Sequence, residues 1–366
     1  MVLGSLLAVA ATPAPTHGDA LPAPPAQPAD GPGGAAAAHR GVTTRRYGSG
    51  GTAYWLFEPA RPTPGHAPLI VFLHGWSALQ PAAYRAWIDH LVKRGNVVVY
   101  PIYQEDLRTP VFDFTGNAIA AVGDAVRRLD AEPGHVRVEP GACAIVGHSM
   151  GGTVAANVAV RWRDAGIPRP KAIMCVEPGK TWARSERIAI TIEDLRQIPA
   201  DTLLLTVVGD RDVLARDVDA KRIFRETTAV PPANKNYLVV HSDEHGAPAL
   251  VASHLFPVGE STPVVARADE APAGGPIRRW VREHLGRRLA RGLAVREAAA
   301  DTEVETPRGT DALDYFGTWK WLDALTDAAF RGEHREYALG NTPEQRFMGV
   351  WSDGVAVKEA SVTAAP

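Results

Sequence analysis

Ala142-Cys143-Ala144-Ile145-Val146-Gly147-His148-Ser149-Met150-Gly151-Gly152 joins an apolar run to a serine set among glycines. Ala142–Val146 is a short, uninterrupted apolar run, the pattern of a strand covered on both faces. Residues Gly151–Arg163 read as a helix. Between them lies Gly-x-Ser-x-Gly. A serine on so sharp a strand-to-helix turn has a strained backbone, so its neighbours must be small. The turn lifts Oγ above the sheet edge, and the helix start favours negative charge developing beside it. The bare pattern is weak, since Gly and Ser are common in loops. The strand before it, the helix after it and the second glycine, Gly152, give it weight over a merely structural Gly-rich turn.

On either side of this segment, strands and helices alternate. Val42–Tyr47 and Thr52–Phe57 flank Gly48-Ser49-Gly50-Gly51, a hairpin signal. Pro68–Leu73, Asn96–Tyr100, Ala172–Val176, Thr202–Val208 and Tyr237–His241 read as further strands. Pro81–Lys93 carries helical periodicity through Tyr84, Trp87, Ile88 and Leu91, and Ala118–Leu129 through Ile119, Val122, Val126 and Leu129. Such alternation predicts an α/β architecture: a mostly parallel central sheet with helices on both faces.

The motifs resemble those of the α/β-hydrolase family, specifically its serine esterase and lipase members, including the cutinase-like polyester hydrolases. Gly147-His148-Ser149-Met150-Gly151-Gly152, Leu73-His74-Gly75-Trp76 and Gly209-Asp210-Arg211-Asp212 carry the resemblance, which spans roughly Gly41 to Leu289. It implies the α/β-hydrolase fold, a Ser149 nucleophile and a chain order of Ser, then Asp, then His. Acyl transfer needs backbone N–H donors aimed at the oxyanion. One is expected on Met150, just after the nucleophile. The resemblance places the second on Trp76, after His74-Gly75, with the indole facing the acyl pocket. Trp76 and His148 are the expected substrate contacts.

The family pattern gives the triad acid as Asp212. Asp210 is a rival better suited to shaping the turn, and Glu177, at the end of the preceding strand, is a weaker one. The base should follow the last strand. His245 lies in a loop before Gly246 and Pro248 and is the expected base, with His254 and His241 competing. His241 and His245 also flank two acids, but their i, i+4 spacing shares a face only on a helix, so no metal site is expected. The resulting expectation is a Ser149-His245-Asp212 triad, an acyl-enzyme, and neither metal nor cofactor. A peptidase or thioesterase on the same fold, or a non-catalytic hydrolase-like binding protein, are the other readings.

Composition sets the boundaries. The chain has 366 residues, 45% hydrophobic and 22% charged, with a formal charge of −2. A nucleic-acid binder held by bulk electrostatics would show a basic excess. No apolar run reaches the ~18 residues of a spanning helix. Gly179-Lys180-Thr181 resembles the end of a phosphate-binding loop, but that pattern requires glycine where Met174 stands. The two cysteines, Cys143 and Cys175, are expected at opposite ends of adjacent strands as free, buried thiols.

Residues 1–11 read as a signal peptide, although no Lys or Arg precedes Arg40. This predicts a secreted or periplasmic protein. Residues 12–40 are dominated by Ala, Pro and Gly and read as a disordered linker. Residues 41–292 form the expected catalytic domain, closed by a helix over Ile277–Leu289 whose Arg-rich outer face is read as solvated. Residues 293–366 form an extension, helical over Asp311–Arg331, expected to pack on the core. A monomer acting on a small-molecule, lipid or polymer ester is the expected partner state.

Overall fold

The computed structural model describes residues 21–179, 189–259, 309–363 and 365–366. The expected signal peptide, residues 12–20 of the expected linker, and the Ile277–Leu289 helix lie outside these residues, as does the boundary drawn at 292.

Nine strands form one sheet, ordered β1-β2-β4-β3-β5-β6-β7-β8-β9. β1 (Gly41–Tyr47) and β2 (Tyr54–Ala60) make the antiparallel hairpin expected from the glycines between them. β3 (His66–Leu73), β4 (Val97–Pro101), β5 (Arg137–His148), β6 (Ala172–Val176), β7 (Leu203–Gly209) and β8 (Lys235–Val240) run parallel. β9 (Ser361–Thr363) closes the far edge antiparallel to β8.

The parallel strands are apolar on both faces because both faces are covered. Along β3, Leu69, Val71 and Leu73 point to one side, toward α2 (Phe114–Ala131) and α3 (Met150–Val160). Ile70 and Phe72 point to the other, toward α1 (Arg85–Lys93) and the C-terminal segment. There α5 (Trp319–Arg331) contributes Trp321, Leu322 and Leu325 to the same cluster as Phe72, Val98 and Val146. α4 (Val218–Glu226) lies beside β7 and β8. The described part of the C-terminal extension is therefore core, supplying both a helix on one face and a strand at the edge.

Residues 21–40 depart from the expectation of a disordered linker. An extended Pro-rich chain leaves most of its backbone groups unpaired within itself. Here Ala35 and Ala36 N–H pair locally with Pro28 and Ala29 O, His39 and Arg40 N–H donate to Lys93 and Arg61 O, and the C-terminal segment supplies further partners. Ala23 N–H donates to Ser352 Oγ at 2.8 Å, and Ser352 N–H to Ala23 O at 3.1 Å. Gly33 N–H donates to the buried carboxylate of Asp323 at 2.8 Å. Composition argues against a segment forming its own core. It is silent on whether a neighbouring surface orders it.

Cys143 and Cys175 are free and fully buried. Cys175 stands opposite Gly147 on the neighbouring strand, four residues along from Cys143. Burial raises both thiol pKa values, that of Cys175 to about 12.

Candidate active site

β3 and β5 are neighbours in the sheet, yet the chain leaves β3 for β4 on one side and returns to β5 on the other. At such a switch the carboxyl ends of the strands open into a crevice. Two loops meet there: His74-Gly75-Trp76 after β3, and the turn at Ser149 after β5.

Ser149 adopts φ 57° and ψ −125°, a conformation that an ordinary side chain occupies only when its surroundings enforce it. They do so through contact. A Cβ on Gly147 would lie 2.1 Å from the Gly151 carbonyl oxygen, and one on Gly151 would lie 2.2 Å from that of Leu73. Only hydrogen fits at either place. Ser149 N–H donates to Val176 O at 2.9 Å, and Gly152 N–H donates to Ser149 O at 2.9 Å. Met150 is the first residue of α3, so its N–H is among the donors that a helix leaves without an internal acceptor. Strand, strained turn and helix thus follow one another at Ser149.

Asp212 lies just past β7. Its Oδ1 accepts from Leu214 N–H at 2.8 Å and Ala215 N–H at 2.9 Å, which orients the carboxylate and leaves Oδ2 toward the crevice. Burial opposes ionisation of Asp212. The His254 hydrogen bond and charge and these two backbone donors outweigh it, holding the carboxyl below its ordinary range. Asp210 accepts instead from Ser242 N–H at 3.0 Å and Ser242 Oγ–H at 2.6 Å, so it braces the segment after β8 and not, as expected, its own turn.

The histidine facing Ser149 is His254 and not His245. His254 Nε2 lies 2.9 Å from Ser149 Oγ, and its Nδ1 lies 2.9 Å from Asp212 Oδ2. His245 points to the C-terminal segment, where Nε2 meets Asp353 Oδ2 at 2.7 Å and the ring packs near Trp351. The cause lies in the path of the chain after β8. Asp243 and Leu250 exchange two backbone hydrogen bonds of 2.8 Å, so residues 244–249 form an outward excursion that returns to the sheet. Arg211 N–H then donates to Ala252 O at 3.0 Å, fastening the returning chain beside Asp212. Ser253-His254 follows at once. His241 also lies apart, its Nε2 2.7 Å from Ser361 Oγ.

His148 does not meet substrate as expected. It is 2% exposed and directed inward. Its Nδ1 lies 2.7 Å from Tyr84 Oη and its Nε2 2.8 Å from the His254 carbonyl oxygen. Trp76, in contrast, is 45% exposed. Its loop passes close over the elbow, since a Cβ on neighbouring Gly75 would lie 3.4 Å from Ser149 Cβ. Gly75 N–H is already given to Tyr84 Oη at 3.0 Å, and Ser77 N–H to the buried Gln104 Oε1 at 2.9 Å. Tyr84 reads in the sequence only as a member of a helical stripe, and Gln104 carries no sequence signal of its own. Nothing local to either marks a role at the site.

Glu177, at the end of β6, is fully buried, with Oε2 3.7 Å from His254 Nδ1 and 3.4 Å from His148 Nε2. Asp212 is the nearer acid by 0.8 Å, the difference between 3.7 and 2.9 Å. His148, Glu177 and His254 offer ligand atoms within 4.8 Å of one another, the one such group among the described residues. Their ring nitrogens are engaged in the hydrogen bonds just given, so a cation would have to displace those bonds.

Residues 70–233 match the family model described as alpha/beta hydrolase fold. An acetyl-hydrolase of Streptomyces hygroscopicus is 30% identical over 190 residues, covering 50% of this chain and 58% of that protein. The chain thus spans less than two thirds of that relative. Among solved structures, a variant of the esterase rPPE is similar with a TM-score of 0.43 and 18% identity, over 60% of this chain and 75% of that one. A thermostable esterase from Pseudomonas putida is similar with a TM-score of 0.41 and 18% identity, over 55% and 72%. None of these singles out the cutinase-like branch. The doubly covered parallel sheet, the elbow at Ser149 and the family match over residues 70–233 identify this chain as a protein of the α/β-hydrolase fold.

Proposed function

We propose that this protein is a serine esterase, hydrolysing a carboxylic ester through an acyl-enzyme. The observation that carries the reading is the hydrogen-bonded chain from Ser149 Oγ through His254 to Asp212, both links 2.9 Å, on a strained turn at the sheet's switch point. In it, Ser149 Oγ attacks the ester carbonyl carbon while His254 Nε2 takes its proton. Asp212 Oδ2 accepts from Nδ1–H and stabilises the imidazolium. The carbonyl oxygen, now negative, is received by the N–H groups of Met150 and Trp76. Collapse of the intermediate expels the alcohol, which takes the proton from His254. Water then repeats the sequence on the acyl-enzyme and releases the acid. No step calls for a metal or cofactor.

The acetyl-hydrolase relative supports a short acyl group, and the exposed Trp76 beside the elbow supports an apolar contact for it. Export is part of the proposal and rests on the apolar run Val2–Ala11, which reads as a signal-peptide core. Among the described residues, no helix is long and apolar enough to cross a membrane.

Purified protein is assayed on p-nitrophenyl acetate and treated with a fluorophosphonate probe. The expected result is turnover and labelling, both lost in Ser149→Ala with its melting curve retained. Wild-type protein that neither turns over esters nor takes the probe refutes the proposal. An active Ser149→Ala refutes the nucleophile.

A further inference from the structure

His148 and Tyr84 do not reach the reacting atoms, yet they tie together the two loops that supply them. The polarity of their hydrogen bonds follows from chemistry alone. The His254 carbonyl can only accept, so His148 Nε2 carries a proton and donates across 2.8 Å. In the neutral ring Nδ1 then holds a lone pair, and Tyr84 Oη–H must donate to it across 2.7 Å. That leaves a Tyr84 lone pair to accept Gly75 N–H across 3.0 Å. Tyr84 and His148 are each 2% exposed, so water does not substitute for any of these bonds.

We infer that Tyr84 and His148 are positioning residues that couple the oxyanion loop at Gly75-Trp76 to the loop carrying His254, so that the two halves of the catalytic apparatus hold one relative geometry. This rests on the esterase reading. The neutral ring it requires agrees with burial, followed by the nearby His254 charge, which together lower the His148 pKa to about 3. Glu177 Oε2, 3.4 Å from Nε2, faces the same N–H and keeps the proton on that nitrogen. The network explains why Gly75 bears no side chain. A Cβ there would lie 3.1 Å from Tyr84 Oη and 3.3 Å from His148 Nδ1, wedging the oxyanion loop off its support.

The test is a double-mutant cycle on p-nitrophenyl acetate with Tyr84→Phe, His148→Phe and the double variant, melting curves being recorded alongside. Each single change leaves a buried group without a partner, which at ~1–3 kcal/mol corresponds to a kcat loss of about 5- to 150-fold. KM should change by less than about threefold, because neither residue touches substrate. The two losses should not multiply. The double variant should fall within about threefold of the worse single one, since either change alone uncouples the loops.

His148→Asn and His148→Gln should each recover part of the activity lost in His148→Phe, as Asn keeps an acceptor for Tyr84 and Gln a donor toward the His254 carbonyl. These two carry the test should a phenylalanine variant fail to fold. Multiplying losses, unchanged kcat in variants that melt lower, or absence of any recovery overturns the inference. An inactive wild type overturns the esterase reading first, and this inference with it.

Discussion

Alanine at His254 and alanine at His245 separate two assignments that the sequence alone leaves in competition. Removing the His254 ring takes away the acceptor 2.9 Å from Ser149 Oγ and the donor 2.9 Å from Asp212 Oδ2 in one step. The nucleophile then has no base, and Asp212 remains as a charge without its partner. Loss of the base in a triad costs on the order of 10⁶ in kcat, about 8 kcal/mol of barrier. Ala at 245 removes a ring whose main polar contact is Asp353, at the exposed edge of the 244–249 excursion. Solvent screens such a pair, so both activity and melting should stay near wild type. The assay is p-nitrophenyl acetate hydrolysis by the two variants at matched concentration, with folding checked by circular dichroism. A silent His245→Ala beside an active His254→Ala would refute the reasoning. It would mean that the excursion rearranges in solution and that the 2.9 Å contact at Ser149 is not the working one.

Asp212→Asn should cost about 10⁴ in kcat, as an amide favours the wrong imidazole tautomer. Asp210→Asn should cost less than about tenfold, because that carboxylate serves Ser242. The reverse ranking would move the acid to Asp210, and near-normal rates in both would move it to Glu177. Gly147→Ala should abolish soluble, folded protein, since its Cβ would sit 2.1 Å from a backbone oxygen that cannot retreat without opening the elbow. A folded, active variant at that position contradicts the strain argument. Stability should fall in acid through His148. Its pKa is about 3 when folded, against ~6.5 when unfolded, so the unfolded chain takes up the proton first. The contribution is complete above pH ~6.5 and is lost as pH falls toward 3, with an upper size of ~5 kcal/mol. Urea midpoints measured across that range should show the slope in wild type and a shallower one in His148→Phe.

Some of this molecule is written locally, and that part was legible. The parallel strands are apolar runs because both their faces are covered, so Pro68–Leu73 and Ala172–Val176 announce themselves without reference to anything distant. The elbow is equally local. Strand, Gly147, Ser149, Gly151 and helix are adjacent in the chain, and steric exclusion acts within a few residues. Asp212 follows its strand directly and is held by its own next two N–H groups after Val213.

The histidine that faces Ser149 was not legible, because its position is decided by where the chain turns back. One pair of backbone hydrogen bonds between Asp243 and Leu250 sends His245 outward and brings His254 over Asp212, and nothing in those residue types encodes that pairing. The same holds for His148, whose place beside the serine suggested substrate contact until Tyr84 and the His254 carbonyl closed around it. Residues 21–40, poor in everything a core needs, are held by partners distant in the chain, among them Ser352, Asp323, Lys93 and Arg61. Periodicity and steric limits act between neighbours in sequence, so the strands and the turn at Ser149 could be read there, while Asp212 was expected only through the resemblance to a known family. Contacts between segments tens to hundreds of residues apart depend on the packed surface that each presents, and only the tertiary structure decided those.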